Sequence, residues 1–244
     1  MNYYYITGTS RGLGKALAAY YLQEGPDNRV VGICRNQEIT HENYEHWTVD
    51  LSNPDEFKAV RFPLHHDAKK LVLVNNAGLI GMIKPLGQLS AEAIIHNFQV
   101  NLVAPAVLTN QFMISYRESE AKKLIVNVSS GAGKNPIGGW SPYCSSKAGL
   151  DMLSRVVDEE QRHSFGRPFR ILSVAPGVID TQMQEEIRSA SAADFIRLND
   201  FINYKIENQL AHPEQIARKF AHIIRHSEEY KHTLMSVKDI PAEQ

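Results

Sequence analysis

Apolar and polar positions along this chain fall into a repeating order, a short apolar run followed by a longer stretch at helical spacing. Residues 3–6, Tyr3-Tyr4-Tyr5-Ile6, are aromatic and β-branched, as a buried strand requires. A glycine-rich turn follows, and then Leu13, Leu17, Ala18, Tyr21 and Leu22 recur at the spacing of one helix face. The same reading predicts strands at 29–34, 46–49, 71–74, 123–128, 169–174 and 233–237, and helices at 53–61, 91–116, 142–164 and 213–226. Pro105 should kink the long third helix close to Asn101. The run at 71–74 is apolar without alternation, as in a parallel strand covered on both faces. The order implies an α/β protein, a doubly wound Rossmann-type fold with a mostly parallel seven-stranded sheet, in a single domain over 1–244. Ligand belongs at the carboxyl ends of the strands. Residues 182–210 are polar and helical with few core anchors, and read as a flexible substrate lid.

Composition changes this picture little. The 244 residues are 43% hydrophobic and 22% charged with a formal net charge of −1, so neither nucleic acid nor an anionic membrane is an expected partner. No apolar run is long enough to span a bilayer and the chain enters a strand at once, which makes a cytoplasmic location the expectation. Cys34 and Cys144 have no metal or redox spacing, and no histidine pair has ligand spacing, so no metal is expected. The sequon at Asn127 lies in a predicted buried strand and is chance. Ala148, Met152, Val156 and Glu159 share a helix face that packs on the sheet or on another subunit. Asp151, Asp158, Glu159 and Glu160 read as a solvated acidic face or a subunit contact.

Two constellations carry chemistry. The first is the turn Gly8-Thr9-Ser10-Arg11-Gly12-Leu13-Gly14 between a strand and a helix amino terminus. Backbone N–H groups and the helix dipole hold a pyrophosphate there, and glycine lets the main chain come close. Arg35 ends the next strand, where an NAD-specific fold places a carboxylate. With Arg11 it suits a 2′-phosphate, so NADP(H) is the expected cofactor. The second is Tyr143 with Lys147 one helical turn on. A nearby ammonium stabilises a phenolate and lowers the phenol's pKa, which makes Tyr143 a candidate proton donor, while packing and solvation alone also place such pairs on helices.

With these pieces in order, the chain resembles the short-chain dehydrogenase/reductase family along its length. The matching stretches are TGTSRGLG, Asp50-Leu51, the NNAG that begins at Asn75, Asn101, IVNVSS ending at Ser130, YCSSK and PGVIDT. GWSPYCSSKAGLDML and SVAPGVIDTQMQ look like the sepiapterin reductase branch, and most like its bacterial benzil reductases that form (S)-benzoin. The resemblance implies a catalytic tetrad of Asn101, Ser130, Tyr143 and Lys147. It implies cofactor contacts at Gly8, Ser10, Arg11, Gly12, Leu13, Arg35, Asp50, Leu51, Asn75, Ala77, Gly78, Tyr143, Lys147, Pro176, Gly177, Ile179 and Thr181. Asp50 would face the adenine amino group, and Ile179 the nicotinamide carboxamide. Substrate would meet Ser130, Trp140, Tyr143 and Met183, with Phe195 and Ile196 of the lid.

Sepiapterin reductases anchor the pterin with an acidic residue near the carboxyl end. Here Ser236 stands in that place and Asp239 three residues later. An apolar α-diketone such as benzil needs no such anchor, so the implied activity is NADPH-dependent reduction of ketones or α-diketones. A pterin side-chain reductase is the alternative within the class. An NADPH sensor without turnover is the alternative outside it, and the intact tetrad argues against that. The family assembles as homodimers or homotetramers through two long helices, and the same is expected here.

Overall fold

The computed structural model describes residues 1–164 and 168–240. Seven strands, β1 (Asn2–Thr7), β2 (Asn28–Cys34), β3 (Tyr44–Thr48), β4 (Lys70–Asn75), β5 (Lys122–Val128), β6 (Arg170–Ala175) and β7 (Leu234–Ser236), form one sheet. Their order is β3-β2-β1-β4-β5-β6-β7 and every pairing is parallel. The order reverses between β1 and β4, the crevice in which this topology binds ligands.

Alternate residues of each strand feed opposite layers. Tyr4, Ile6, Val72, Val74, Val126 and Val174 pack with α1 (Gly12–Glu24) and α8 (Pro213–Arg225). Tyr5, Leu71, Leu73, Ile125 and Ile171 pack on the other face, with Leu108, Phe112 and Tyr116 of α4 (Ala104–Tyr116), Phe57 of α2 (Pro54–Ala59) and Val157 of α5 (Ser141–Arg162). Both faces are covered, which is why the strands read as continuous apolar runs.

The helix predicted over 91–116 is interrupted. It is α3 (Ala91–Phe98), a widened π turn Gln99–Val103, and then α4. Pro105 lacks the N–H that would have bonded the Asn101 carbonyl four residues back, so the ladder opens around Asn101. The expected kink is therefore an opened turn centred four residues before the proline.

The stretch 182–210 carries α6 (Gln182–Arg188) and α7 (Leu198–Ile206). Contrary to expectation it is anchored: Ile187, Phe195 and Phe201 are buried with Trp140 and Tyr143 in a third apolar cluster. The acidic face of α5 is also divided. Glu159 and Glu160 are exposed, but Asp151 and Asp158 are buried because the sheet supplies their partners. Ser173 Oγ donates to Asp151 Oδ1 at 2.6 Å, and Arg170 Nη1 and Thr233 Oγ1 donate to Asp158 at 2.8 and 2.7 Å.

Candidate active site

Just below the crevice, three adjacent strands carry a row of polar side chains in register: Asn75, Asn127 and Ser173. Asn75 Nδ2 donates to Asn127 Oδ1 at 2.8 Å and to Thr109 Oγ1 at 3.1 Å. Asn127 Nδ2 donates to Ser154 Oγ at 2.8 Å, and that hydroxyl donates to the Leu150 carbonyl at 2.7 Å. The row joins α4, the sheet and α5 through hydrogen bonds in a buried layer, where such bonds restrict the packing to one arrangement. Asn75, expected at the cofactor, thus turns its side chain into the protein. Its neighbour Asn76 bonds the end of β1 and the glycine turn instead, through Nδ2 to the Thr7 carbonyl at 2.9 Å and the Gly8 carbonyl at 3.4 Å. Thr7 Oγ1 in turn accepts from the Asn76 and Ala77 N–H groups, both at 2.9 Å.

The four tetrad positions converge directly beyond this row. Lys147 Nζ donates at 2.8 Å to the carbonyl of Val128, the residue after Asn127, and lies 5.9 Å from the Tyr143 ring centroid. Asn101 Nδ2 donates to the Leu79 carbonyl at 2.8 Å and its Oδ1 accepts from Leu79 N at 2.9 Å, which fastens the opened turn to the loop after β4. A Cβ built on Gly78 would lie 3.1 Å from Asn101 Oδ1 and 3.5 Å from Lys147 Nζ, so these two groups face one space. Ser130 accepts from Ala132 N at 3.2 Å, which holds its hydroxyl at the end of β5, beside the Tyr143 phenol. Asn97 and Ser146, which sequence reasoning missed, brace the set: Asn97 Oδ1 accepts from Asn101 Nδ2 at 3.0 Å and from Ser146 Oγ at 3.2 Å.

Burial governs the charges. It pushes the Tyr143 phenol above its ordinary value, and the Ser130 hydroxyl acts against that rise. Burial pulls Lys147 down to about 8, with the Asp151 carboxylate opposing. In the protein alone, desolvation therefore outweighs the lowering of Tyr143 that its spacing from Lys147 implies.

The glycine turn fits a pyrophosphate. Gly8 sits at φ +73°, and a Cβ on Gly14 would lie 2.3 Å from the Gly8 carbonyl oxygen, so side chains are excluded from this strand-to-helix corner. Around it lie Ser10, Leu13 and Gly12, whose added Cβ would be 3.2 Å from Thr181. Arg35 is exposed at the end of β2, and its charge is among those that lower the Asp50 pKa; burial acts against them most strongly, and the Ser52 hydrogen bonds come next. Leu51 is buried beside Asp50. Arg11 reaches toward α6, where its guanidinium donates to Gln182 Oε1, a residue that the sequence did not single out. Pro176 and Gly177 follow β6, and Ile179 bridges to Ala211. No group of metal-ligating side chains occurs among the described residues.

Trp140 and Met183 both join the apolar cluster at Tyr143. Phe195 does too, fully buried, but Ile196 is 90% exposed and points away from it. The indole of Trp140 stacks on Phe195 with centroids 5.2 Å apart and meets Tyr143 edge-on at 5.6 Å.

A doubly wound sheet with a glycine corner at its switch point and a Ser-Tyr-Lys group beside it defines an oxidoreductase acting on CH–OH or C=O groups. The chain belongs to the short chain dehydrogenase family, whose pattern matches residues 2–192. It is 37% identical over 242 residues to a benzil reductase ((S)-benzoin forming) of Bacillus cereus, covering 93% of this chain and 96% of that one. A sepiapterin reductase of Meriones unguiculatus is 29% identical over 241 residues, 90% of each chain. Among solved structures, a short chain dehydrogenase/reductase from Saccharomyces cerevisiae superposes with a TM-score of 0.84 at 23% identity, over 98% of this chain and 97% of that one.

Proposed function

We propose that the protein is an NADPH-dependent carbonyl reductase that converts ketones or α-diketones to alcohols, in the manner of benzil to (S)-benzoin, with Tyr143 as proton donor. The observation that carries this reading is the placement of half-buried Ser130 with buried Tyr143 and Lys147 between a polar row and an aromatic cluster. When bound, the nicotinamide cofactor supplies hydride. The phenol of Tyr143 delivers the proton to the carbonyl oxygen as charge grows there, and the Ser130 hydroxyl donates to the same oxygen. The Lys147 ammonium stabilises the phenolate left behind, and Asn101 holds the loop at Gly78 in place. Gly8, Ser10, Gly12 and Leu13 would hold the pyrophosphate, and Arg11 and Arg35 a 2′-phosphate. Asp50 and Leu51 would take the adenine side. The backbone of Asn75, Ala77, Gly78, Pro176, Gly177, Ile179 and Thr181 would line the remainder.

Benzil is favoured over a pterin by the carboxyl end. Asp239 Oδ2 already accepts from Ser236 N at 3.0 Å, capping the last turn, so its carboxylate is committed locally. Met152 and Val156 are 52% and 46% exposed, on the side of α5 away from the sheet. That apolar strip supports a homodimer or homotetramer. No helix is long and apolar enough to cross a membrane among the described residues, in keeping with a cytoplasmic enzyme.

The test is a matrix of benzil and sepiapterin against NADPH and NADH, with kcat/KM measured and the product resolved by chiral chromatography. Benzil with NADPH should give the highest value and (S)-benzoin. Preference for sepiapterin, or equal use of NADH, would overturn the corresponding part of the reading.

A further inference from the structure

Trp140 precedes Tyr143 by three residues, at the start of α5. Its backbone is satisfied: the N–H donates to the Ile137 carbonyl and its carbonyl accepts from Cys144 N, at 3.1 and 2.8 Å. Its ring is 5% exposed, packed between Tyr143, Phe195 and Phe201. Yet the indole Nε1–H is buried without an acceptor among the described residues. An indole nitrogen only donates, and burying it unpaired gives up the bond it makes with water. A phenylalanine ring would keep the stacking without that loss. The unpaired donor therefore has no structural return within the protein's own packing.

The same cluster surrounds the phenol that serves the reacting carbonyl in the reading above, and the inference rests on that reading. We infer that Trp140 is a specificity residue whose Nε1–H donates to the second oxygen of a vicinal dicarbonyl while Tyr143 serves the first. A substrate with one carbonyl leaves the indole unpaired, and a substrate with two satisfies it. A site built to hydrogen-bond one oxygen discriminates against the analogue that lacks it more strongly than apolar packing does. Of the other unpaired atoms near the lid, Gln184 Oε1 is an acceptor and cannot bond a carbonyl. Arg188 Nη1 is a donor and the rival for this role.

The experiment compares benzil with deoxybenzoin, which keeps both phenyl rings and loses one carbonyl. Benzil is the more electrophilic ketone in any enzyme, so the quantity read is the ratio of kcat/KM values in Trp140→Phe relative to the same ratio in the unmodified protein. The ratio should fall about tenfold or more, because packing changes affect both substrates and the lost N–H affects one. Replacing Trp140 by 3-benzothienylalanine, which exchanges the N–H for sulfur at constant shape, should give the same fall should Trp140→Phe fold poorly. An unchanged ratio in both variants overturns the role of Trp140 alone. A fall in Arg188→Met but not in the Trp140 variants also overturns it, in favour of the guanidinium. Turnover of deoxybenzoin but not of benzil by the unmodified protein overturns the diketone reading and this inference together.

Discussion

On the sheet side of Tyr143, the carboxyl ends of β4, β5 and β6 carry polar side chains that bond one another and the helices α4 and α5. On the lid side, α6 and α7 bring rings and aliphatic groups, and there Trp140 Nε1, Gln184 Oε1 and Arg188 Nη1 are buried without partners among the described residues. Both regions are buried, but most polar atoms of the sheet side are paired, Asn75 Oδ1 and Ser129 Oγ excepted, whereas these three on the lid side are not. A partnered buried network fixes one geometry, and an unpartnered group gains by meeting a ligand that completes it. The difference separates a floor under the proposed catalytic groups from a roof over them.

The largest effect should come from the group between the two. Tyr143→Phe keeps the ring that meets Trp140 edge-on and removes only the hydroxyl. Turnover should fall by about 10²–10⁴, the range for a positioned general acid, with little change in melting temperature. A loss under tenfold in benzil reduction would mean that another group donates the proton.

Cutting the floor and the roof separately should have different consequences. Asn127→Leu removes the acceptor of Asn75 Nδ2 and the donor to Ser154 Oγ. Two buried groups lose partners, a cost of about 3 kcal/mol, or roughly 6–12 °C in melting temperature for a chain of this size. Phe195→Ala opens the roof, which can loosen locally while the sheet persists. It should raise KM for benzil and quicken proteolysis of α6 and α7 more than it lowers the melting temperature. Equal thermal losses in the two variants would erase the distinction.

The floor and roof also differ in what their residues disclose in sequence. The strands, the glycine corner and the Tyr143-Lys147 pair are legible because each rests on local periodicity or on a short spacing. The polar row is not: Asn75, Asn127 and Ser173 lie about fifty residues apart, and only strand register sets them side by side. Asp151 and Asp158 read as solvated because hydropathy along α5 cannot reveal Ser173, Arg170 and Thr233 across the interface. The roof looked weakly anchored for a related reason. Ile187, Phe195 and Phe201 fall on two helices and the turn between them, so no single helical period links them. Two adjacent asparagines give no sign of which turns inward, so the sequence does not separate the part of Asn76 from that of Asn75.

A third, smaller effect concerns pH. Lys147 in the folded protein loses its proton at about 8, below the ordinary 10.5, so between those values the unfolded chain binds more protons than the native one. Stability contributed at this site therefore rises with pH through that window and is absent below it. Thermal melts of the unmodified protein and Lys147→Met should differ progressively in favour of the former between pH 8 and pH 10. A constant difference would place the lysine in a less buried setting than the floor provides.

The smallest effect tests where the roof ends. Phe195 is fully buried and Ile196, its neighbour, is 90% exposed, so one peptide bond separates the packed surface from solvent. An isolated exposed apolar side chain contributes little to stability, and substitutions at such positions stay within about 0.5 kcal/mol. Ile196→Ser should leave melting temperature, KM and kcat for benzil near their original values, in contrast to Phe195→Ala. A rise in KM comparable to that of Phe195→Ala would mean that Ile196 swings inward when substrate binds. The roof would then be one residue wider, and the lid's closure on substrate would bring in a side chain that stands outside it in the free protein.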